Sequence, residues 1–509
     1  MHGAGKSDPP IVPGKRPNNP GQPGAEAVEG RGGAEGTAGQ QSTGRTQSRE
    51  TVSQALACVR EAAKRNRRER FTSLMHHLTP DLLAWAFHQL KPKAAPGVDG
   101  VTWEDYAVSL DGNIGDLHGR VMRGAYRAKP SRRQYIPKPD GRQRPLGIAA
   151  LEDKIVQRAM VEVLNAIYET DFLGFSYGFR PGRSQHDALD ALAYGINLRK
   201  VSWILDADIR SFFDTISHDW MMRFLEHRIG DRRVLRLIAK WLKAGVMEEG
   251  AWTAGTVGTP QGAVISPLLA NIYLHYVYDL WVEQWRTRTA TGAVTVIRYA
   301  DDTVVGFQRQ ADAARFLRDL RERLAKFALD LHPDKTRLIE FGRFAVRDRA
   351  ARGLRKPETF DFLGFTHICA KSRSGAFLLM RHTMRKRMRA RLVEIKETLN
   401  RMCHLPVSEQ GRWLGQVVRG YLAYHAVPTN SRAINSFHYH VLWHWRRALR
   451  RRGQKGWVTW ARVGRLAARW LPPARITHPY PQERFIVKHP RWEPSALAAH
   501  ARICPGGAR

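Results

Sequence analysis

Two β-branched runs, Val294-Thr295-Val296-Ile297 and Thr303-Val304-Val305, flank the tetrapeptide Tyr299-Ala300-Asp301-Asp302. Two such runs around a very short link predict a β-hairpin. Adjacent carboxylates would then sit at its tip, held rigid by the ladder on either side. Carboxylates so placed repel one another, and loss of water strengthens the repulsion. The pair persists most easily where divalent cations neutralise it, and hard oxygen ligands suit Mg²⁺. The alternative for an isolated Asp-Asp is a solvated turn.

A third carboxylate narrows the choice. Val201-Ser202-Trp203-Ile204-Leu205 is apolar enough for a buried strand and runs into Asp206-Ala207-Asp208-Ile209. Side chains alternate along a strand, so Asp206 and Asp208 share a face. Ser217 follows as the N-cap of a helix with Trp220, Met221, Phe224 and Leu225 as its buried stripe and Gly230 as its stop. A carboxylate leaving a buried strand beside a hairpin-tip pair would complete a site for two metal ions, roughly 3.5–4 Å apart, of the kind that activates a 3′-hydroxyl and stabilises leaving pyrophosphate. No side chain need act as a covalent nucleophile, because phosphoryl transfer is mainly positioning and charge neutralisation.

The charge balance names the partner. Against 82 Lys+Arg stand 47 Asp+Glu, a formal net charge of +35 over 509 residues. Such an excess predicts a polyanion, with backbone phosphates fitting best and binding sensitive to salt. From Val441 to Trp470 there are Lys and Arg but no Asp or Glu, interleaved with Trp443, Trp445, Trp457, Trp460 and Trp470. Aromatic rings among cations stack on bases while the cations hold phosphates. The alternative, an amphipathic helix with buried tryptophans and solvated arginines, is compatible with it. The four cysteines, Cys58, Cys369, Cys403 and Cys504, form no C-x-x-C pair, so neither zinc knuckles nor a disulfide framework is expected, and a reducing intracellular setting fits. The N-terminus has no apolar signal-peptide core. Ala263 to Trp281 is long and nearly uncharged, but Pro267, Asn271, His275 and Asp279 make it a buried helix and not a membrane span.

Residues 1 to about 50 are rich in Gly, Pro, Ser, Thr and Gln and are expected to be disordered. Helical pattern begins near Thr51, with Leu56, Val59 and Ala63 on one face. A second helix opens at Thr79-Pro80-Asp81, an N-cap, an N1 proline and a first-turn acid. Short strands, turns and helices alternate to about residue 370. Beyond about 375 the pattern is helical and very basic, as in Met384-Arg385-Lys386-Arg387-Met388-Arg389.

Eight segments surround the carboxylates in a fixed order: Ala95 to Gly100, Ile136-Pro137-Lys138-Pro139-Asp140-Gly141, Ser176 to Ser184, Asp208 to Asp214, Gly258-Thr259-Pro260-Gln261-Gly262, the Tyr-Ala-Asp-Asp box, Leu331 to Thr336, and Phe362-Leu363-Gly364-Phe365. In this order, over roughly residues 50 to 485, the chain resembles the reverse transcriptase/maturase proteins encoded by bacterial group II introns. The resemblance implies an α+β right-hand polymerase: a disordered tail over 1–50, N-terminal helices and fingers over 51–200, a palm with an antiparallel sheet over 201–370, a helical thumb or maturase domain over 371–460, and a short basic DNA-binding tail over 461–509. Many members continue into an HNH endonuclease. Without one, mobility would need another primer source, such as nascent DNA at a replication fork.

Roles follow from the resemblance position by position. It assigns catalysis to Asp208, Asp301 and Asp302, which with the Ile209 carbonyl would hold two Mg²⁺ ions. Asp206 and Asp214 would be supporting residues, although Asp206 can equally cap a strand end. Lys138 and Arg144 would meet the incoming triphosphate, as a point charge and a bidentate fork. Phe213 would be a steric gate against the 2′-hydroxyl, although one of Phe212 and Phe213 must serve the core. Gln261 would line the nucleotide pocket, and Lys335 would aid pyrophosphate departure. Arg180 and Arg183, flanking Pro181-Gly182, would contact the template backbone. Arg446, Arg447, Arg450 and Arg451 would contact RNA. Phe362 to Phe365 would form a strand near the primer terminus.

The function implied is an RNA-directed DNA polymerase that is also a splicing maturase for its intron RNA. It would support mobility by target-primed reverse transcription. Its partners would be that RNA, an RNA template with a DNA primer, target DNA and dNTPs, with no membrane. It would be cytoplasmic and nucleoid-associated in a bacterium. The competing readings are a splicing-only RNA-binding maturase, or a related reverse transcriptase in defence or diversity generation.

Overall fold

The computed structural model describes residue 54 and residues 56–137, 143–248, 251–255, 257–259, 262–452 and 457–488. The expected disordered tail over 1–50 lies outside them. In chain order the strands are β1 (Ser131–Pro137), β2 (Gln143–Ile148), β3 (Trp203–Ala207), β4 (Val246–Glu248), β5 (Ala251–Thr253), β6 (Val294–Tyr299), β7 (Asp302–Phe307), β8 (Arg337–Glu340), β9 (Phe360–Phe362), β10 (Phe365–Lys371) and β11 (Phe377–Thr383). They form three sheets, ordered β2-β1-β4-β5, β6-β7-β3-β8 and β11-β10-β9. The second sheet is antiparallel throughout. The mixed helix-and-sheet class is as expected.

That central sheet is covered on both faces, which explains its near-continuous apolar runs. Leu205, Val296 and Val305 enter one core, packed by the helices Leu151–Asp171, Ser266–Leu274 and Gln310–Ala325 among others. Their strand neighbours Ile204, Ile297 and Val304 enter a second core with the Gln185–Leu198 helix, the third sheet and Phe485. Period-two alternation therefore divides one strand between two cores. Each side chain so buried contributes about 1.5–3 kcal/mol. A third core joins the helices Arg385–Arg401, Val407–His425, Ser431–Arg450 and Trp460–Trp470.

Caps legible in the sequence are present. Thr79 Oγ1 accepts from Leu82, Ser217 Oγ from Trp220, and Ser184 forms a reciprocal capping box with Asp187. Two expectations are corrected. The helix after Ser217 ends at Glu226, before Gly230, because the chain turns there to pair with Phe71, whose carbonyl accepts from Gly230 N. Phe362 to Phe365 is not one strand: Leu363 and Gly364, at φ +45° and +82°, turn the chain between β9 and β10. Within Ala263 to Trp281 the chain is helical from Ser266 and mostly buried, with a π turn at His275–Asp279 and Leu280 exposed. Among the described residues no helix is long and apolar enough to cross a membrane.

Candidate active site

The β6–β7 hairpin forms with Tyr299 paired to Asp302, leaving Ala300 and Asp301 as its two-residue link. Ala300 takes the left-handed conformation, φ +57°, that so tight a reversal requires. On the other side of β7, Ala207 pairs with Thr303. β3 ends at Ala207, and Asp208 follows it close enough to the hairpin tip to raise the Asp301 and Asp302 carboxyls. Asp206, paired with Val304, shares a face with Ile204 and Val304 of the second core.

Electrostatics confirm the crowding. Asp301 and Asp302 are both held above the usual carboxylate range. Desolvation is the first cause in each. Asp208 adds to it at Asp301, and Asp301, Asp208 and Asp206 add to it at Asp302. Accessible area makes Asp302 exposed and Asp301 half-buried, so water reaches a cleft whose walls still remove much of their solvation. Asp206 is pushed up to about 6, first by burial and then by Asp208 and Asp361 against the opposing pull of Arg337. Four basic residues, three from separate elements and one from a turn, bear on the set: Arg144 on Asp301, Lys335 on Asp208 and Asp301, Arg337 on Asp206 and Arg387 on Asp302. Lys335 Nζ lies 2.6 Å from Asp208 Oδ2.

Among the described residues no group of three or more His, Cys, Asp or Glu is arranged to hold a metal ion as it stands; Asp208 is paired with Lys335 instead. The donor chemistry nonetheless suits a hard cation, since Asp208 raises the Asp301 and Asp302 carboxyls and a divalent ion relieves such repulsion. Ile209 and Leu331 face each other between the bonds His332 N to Asp208 O (2.8 Å) and Arg210 N to Asp330 O (2.8 Å). In such a pair the Ile209 carbonyl is directed away from Leu331.

The remaining candidates divide. Arg144 is exposed on β2 opposite Ile136. Lys138 and Gln261 lie outside the described residues. Phe212 is fully in the core, edge-on to Tyr273, and Phe213 is half-buried against the same core. Gly258 packs on the carbonyls of Phe213 and Asp214, tying the segment before Gln261 to Phe213. Asp214 is exposed. Arg180 is turned into the interior. It is 7% exposed, and its guanidinium donates to Glu169, Leu173 O and Ser176 O. Arg183 is half-buried, donating to Gly174 O and lying over the Tyr177 ring.

The C-terminal helices carry a cationic aromatic face. Arg446 lies over Trp460, Arg447 over Trp443 and Arg450 over Trp457, while Arg451 donates to Asn400. Trp443, Trp457 and Trp460 are exposed; Trp445 is buried and donates to Gln410 Oε1. Of the five tryptophans in this segment, Trp445 is in the core, Trp470 packs partly buried against it, and three face the surface. Arg337, Arg387 and Arg298 carried no sequence signal, because each gains its meaning only from what folding brings beside it.

Residues 136–367 match the family described as reverse transcriptase (RNA-dependent DNA polymerase). The chain is 36% identical over 315 residues to Protein YkfC of Escherichia coli strain K12, covering 55% of this chain and 77% of that protein. It is 35% identical over 222 residues to the group II intron-encoded protein LtrA of Lactococcus lactis subsp. cremoris, covering 43% of this chain and 37% of LtrA. Over 212 residues it is 34% identical to the putative COX1/OXI3 intron 1 protein of Saccharomyces cerevisiae, covering 40% of this chain and 24% of that one. With the motif order, the carboxylate geometry and these likenesses together, the chain belongs to the group II intron-encoded reverse transcriptase/maturase family.

Proposed function

We propose that this chain is an RNA-directed DNA polymerase that also binds its intron RNA as a splicing maturase and takes part in copying that RNA into target DNA. The observation that carries the polymerase reading is the gathering of Asp208, one residue past β3, with Asp301 and Asp302 at the β6–β7 tip, with Lys335 paired to Asp208 and Arg144 acting on Asp301. The architecture fits a right hand, with the first sheet as fingers, the central sheet as palm and the C-terminal helices as thumb.

Enzymes of this family use divalent metal. Here Asp208, Asp301, Asp302 and the Ile209 carbonyl would hold two Mg²⁺ ions, which when bound lower the pKa of a primer 3′-hydroxyl and neutralise the triphosphate. Arg144, with Lys138, would bind the triphosphate oxygens as a dNTP arrives. Phe213 would press on the sugar and exclude a 2′-hydroxyl. Lys335 would shift from Asp208 to the departing pyrophosphate. Arg446, Arg447, Arg450 and Arg451, with the exposed tryptophans, would grip RNA through phosphates and stacked bases; this face favours the maturase role.

The test is Asp301→Ala on poly(rA)/oligo(dT) with Mg²⁺ and dTTP. Loss of DNA synthesis of a thousandfold or more is expected, on the scale of removing one electrostatic stabiliser. Unchanged synthesis would overturn the assignment. Splicing rescue by a chain that makes no cDNA would leave only the maturase.

A further inference from the structure

One charged group in the apolar strand β6 has no part in the reaction so far. Arg298 is fully buried. A leucine would fill that space at no electrostatic cost, whereas a buried guanidinium is tolerated only when its donors are satisfied. All five are. Nε and Nη2 donate to the two oxygens of Asp279 at 2.7 and 2.6 Å, and Nη2 also donates to Ser176 Oγ at 2.7 Å. Nη1 donates to Asn271 Oδ1 at 2.9 Å and to the Ala300 carbonyl at 3.0 Å.

These partners come from separate elements. Asp279 ends the π turn His275–Asp279, Asn271 lies on the helix Ser266–Leu274, and Ser176 belongs to the segment along the edge of β6. That segment is itself fixed: Tyr177 N donates to Arg298 O, Arg298 N to Phe175 O, and Asn271 Nδ2 to Gly178 O. Only one of the five bonds reaches the hairpin tip, and it ends on Ala300, the left-handed residue next to Asp301. A non-glycine residue in that conformation costs about 1–2 kcal/mol and persists when its surroundings over-determine it.

We infer that Arg298 is a positioning residue, a buried fork that anchors the Ala300 carbonyl and thereby sets where Asp301 stands relative to Asp208. It touches no substrate. Its effect passes through the backbone of the tip, and it would act before metal arrives by presenting the carboxylates already in place. This inference rests on the polymerase reading above.

The test uses the full-length protein with Arg298→Lys and the milder Ser176→Ala, which removes one bond and leaves the Arg298–Asp279 pair. Three quantities are read: kcat and KM for dTTP on poly(rA)/oligo(dT), Mn²⁺ affinity by electron paramagnetic resonance, and thermal midpoint. Arg298→Lys is expected to lower kcat about a hundredfold, the effect of an ångström-scale misplacement, with KM for dTTP within about twofold and Mn²⁺ affinity about tenfold weaker. Ser176→Ala shifts kcat and Mn²⁺ affinity the same way by about three- to tenfold, and it carries the test should Arg298→Lys not fold. Folded variants with lowered thermal midpoints but wild-type kcat and Mn²⁺ affinity would overturn the inference. A wild-type chain inactive on this substrate, with Mn²⁺ affinity still weakened in the variants, would sink the polymerase reading and leave the positioning role standing.

Discussion

Lys335 and Asp208 meet at 2.6 Å, although 127 residues of chain separate them. The ammonium occupies the carboxylate that the polymerase reading assigns to metal. The pair is half-exposed on the lysine side, so it contributes little to stability, at most about 1 kcal/mol. Lys335→Ala should therefore leave the thermal midpoint nearly unchanged while slowing single-nucleotide addition about a hundredfold, the scale of a positioned proton donor. Rapid-quench kinetics at saturating dTTP check this.

Phe213 is half-buried at the margin of the core, while Phe212 is fully buried in it. Phe213→Ala should keep the fold and admit ribonucleotides. The ratio of kcat/KM for dNTP over rNTP is expected to fall about 10–100-fold, in line with what one steric contact contributes to selectivity. Phe212→Ala should instead lower stability by about 3–5 kcal/mol, read by denaturant unfolding.

Gly178 approaches the hairpin tip so closely that an added Cβ would stand 2.3 Å from Ala300 N. Neither backbone can yield cheaply. Gly178→Ala is expected to cost about 1–3 kcal/mol and to slow synthesis by moving Asp301. Gly112, where nothing lies within 4 Å of an added Cβ, is the control position, and Gly112→Ala should do neither.

Asp153 is buried, accepts from Lys129 N at 3.1 Å and from the Tyr126 hydroxyl, and burial first of all pushes its pKa up to about 6. A raised carboxyl binds its proton more tightly when folded. Its contribution to stability is therefore fully present below about pH 4 and is lost as pH rises through about 6. At about 1.4 kcal/mol per pKa unit, Asp153→Asn should flatten the stability profile between pH 4 and 6 by about 2–3 kcal/mol, measured by urea unfolding of both proteins across that range.

Arg447 and Arg450 pack on exposed Trp443 and Trp457. Replacing both arginines by alanine should weaken intron RNA binding and reduce the salt slope of log K by about 1.4–1.8, near 0.7–0.9 per lost phosphate contact. Filter binding from 50 to 300 mM salt reads the slope, and an unchanged slope would place the RNA elsewhere.

The features legible before folding are local or ordered along the chain. The hairpin around Asp301, the caps at Thr79, Ser184 and Ser217 and the segment order marking the family all rest on nearest-neighbour rules or on position. The tertiary structure decided what each charge does. Arg180 and Arg298 read like any other arginine in this very basic chain, yet both are interior forks, because the carbonyls and carboxylates that satisfy them come from distant elements. Arg337 reaches Asp206 because β8 pairs with β3, and Arg387 reaches Asp302 because the Arg385–Arg401 helix lies beside that carboxylate. A charge's solvation depends on everything packed around it in three dimensions, and periodicity along one strand carries none of that information.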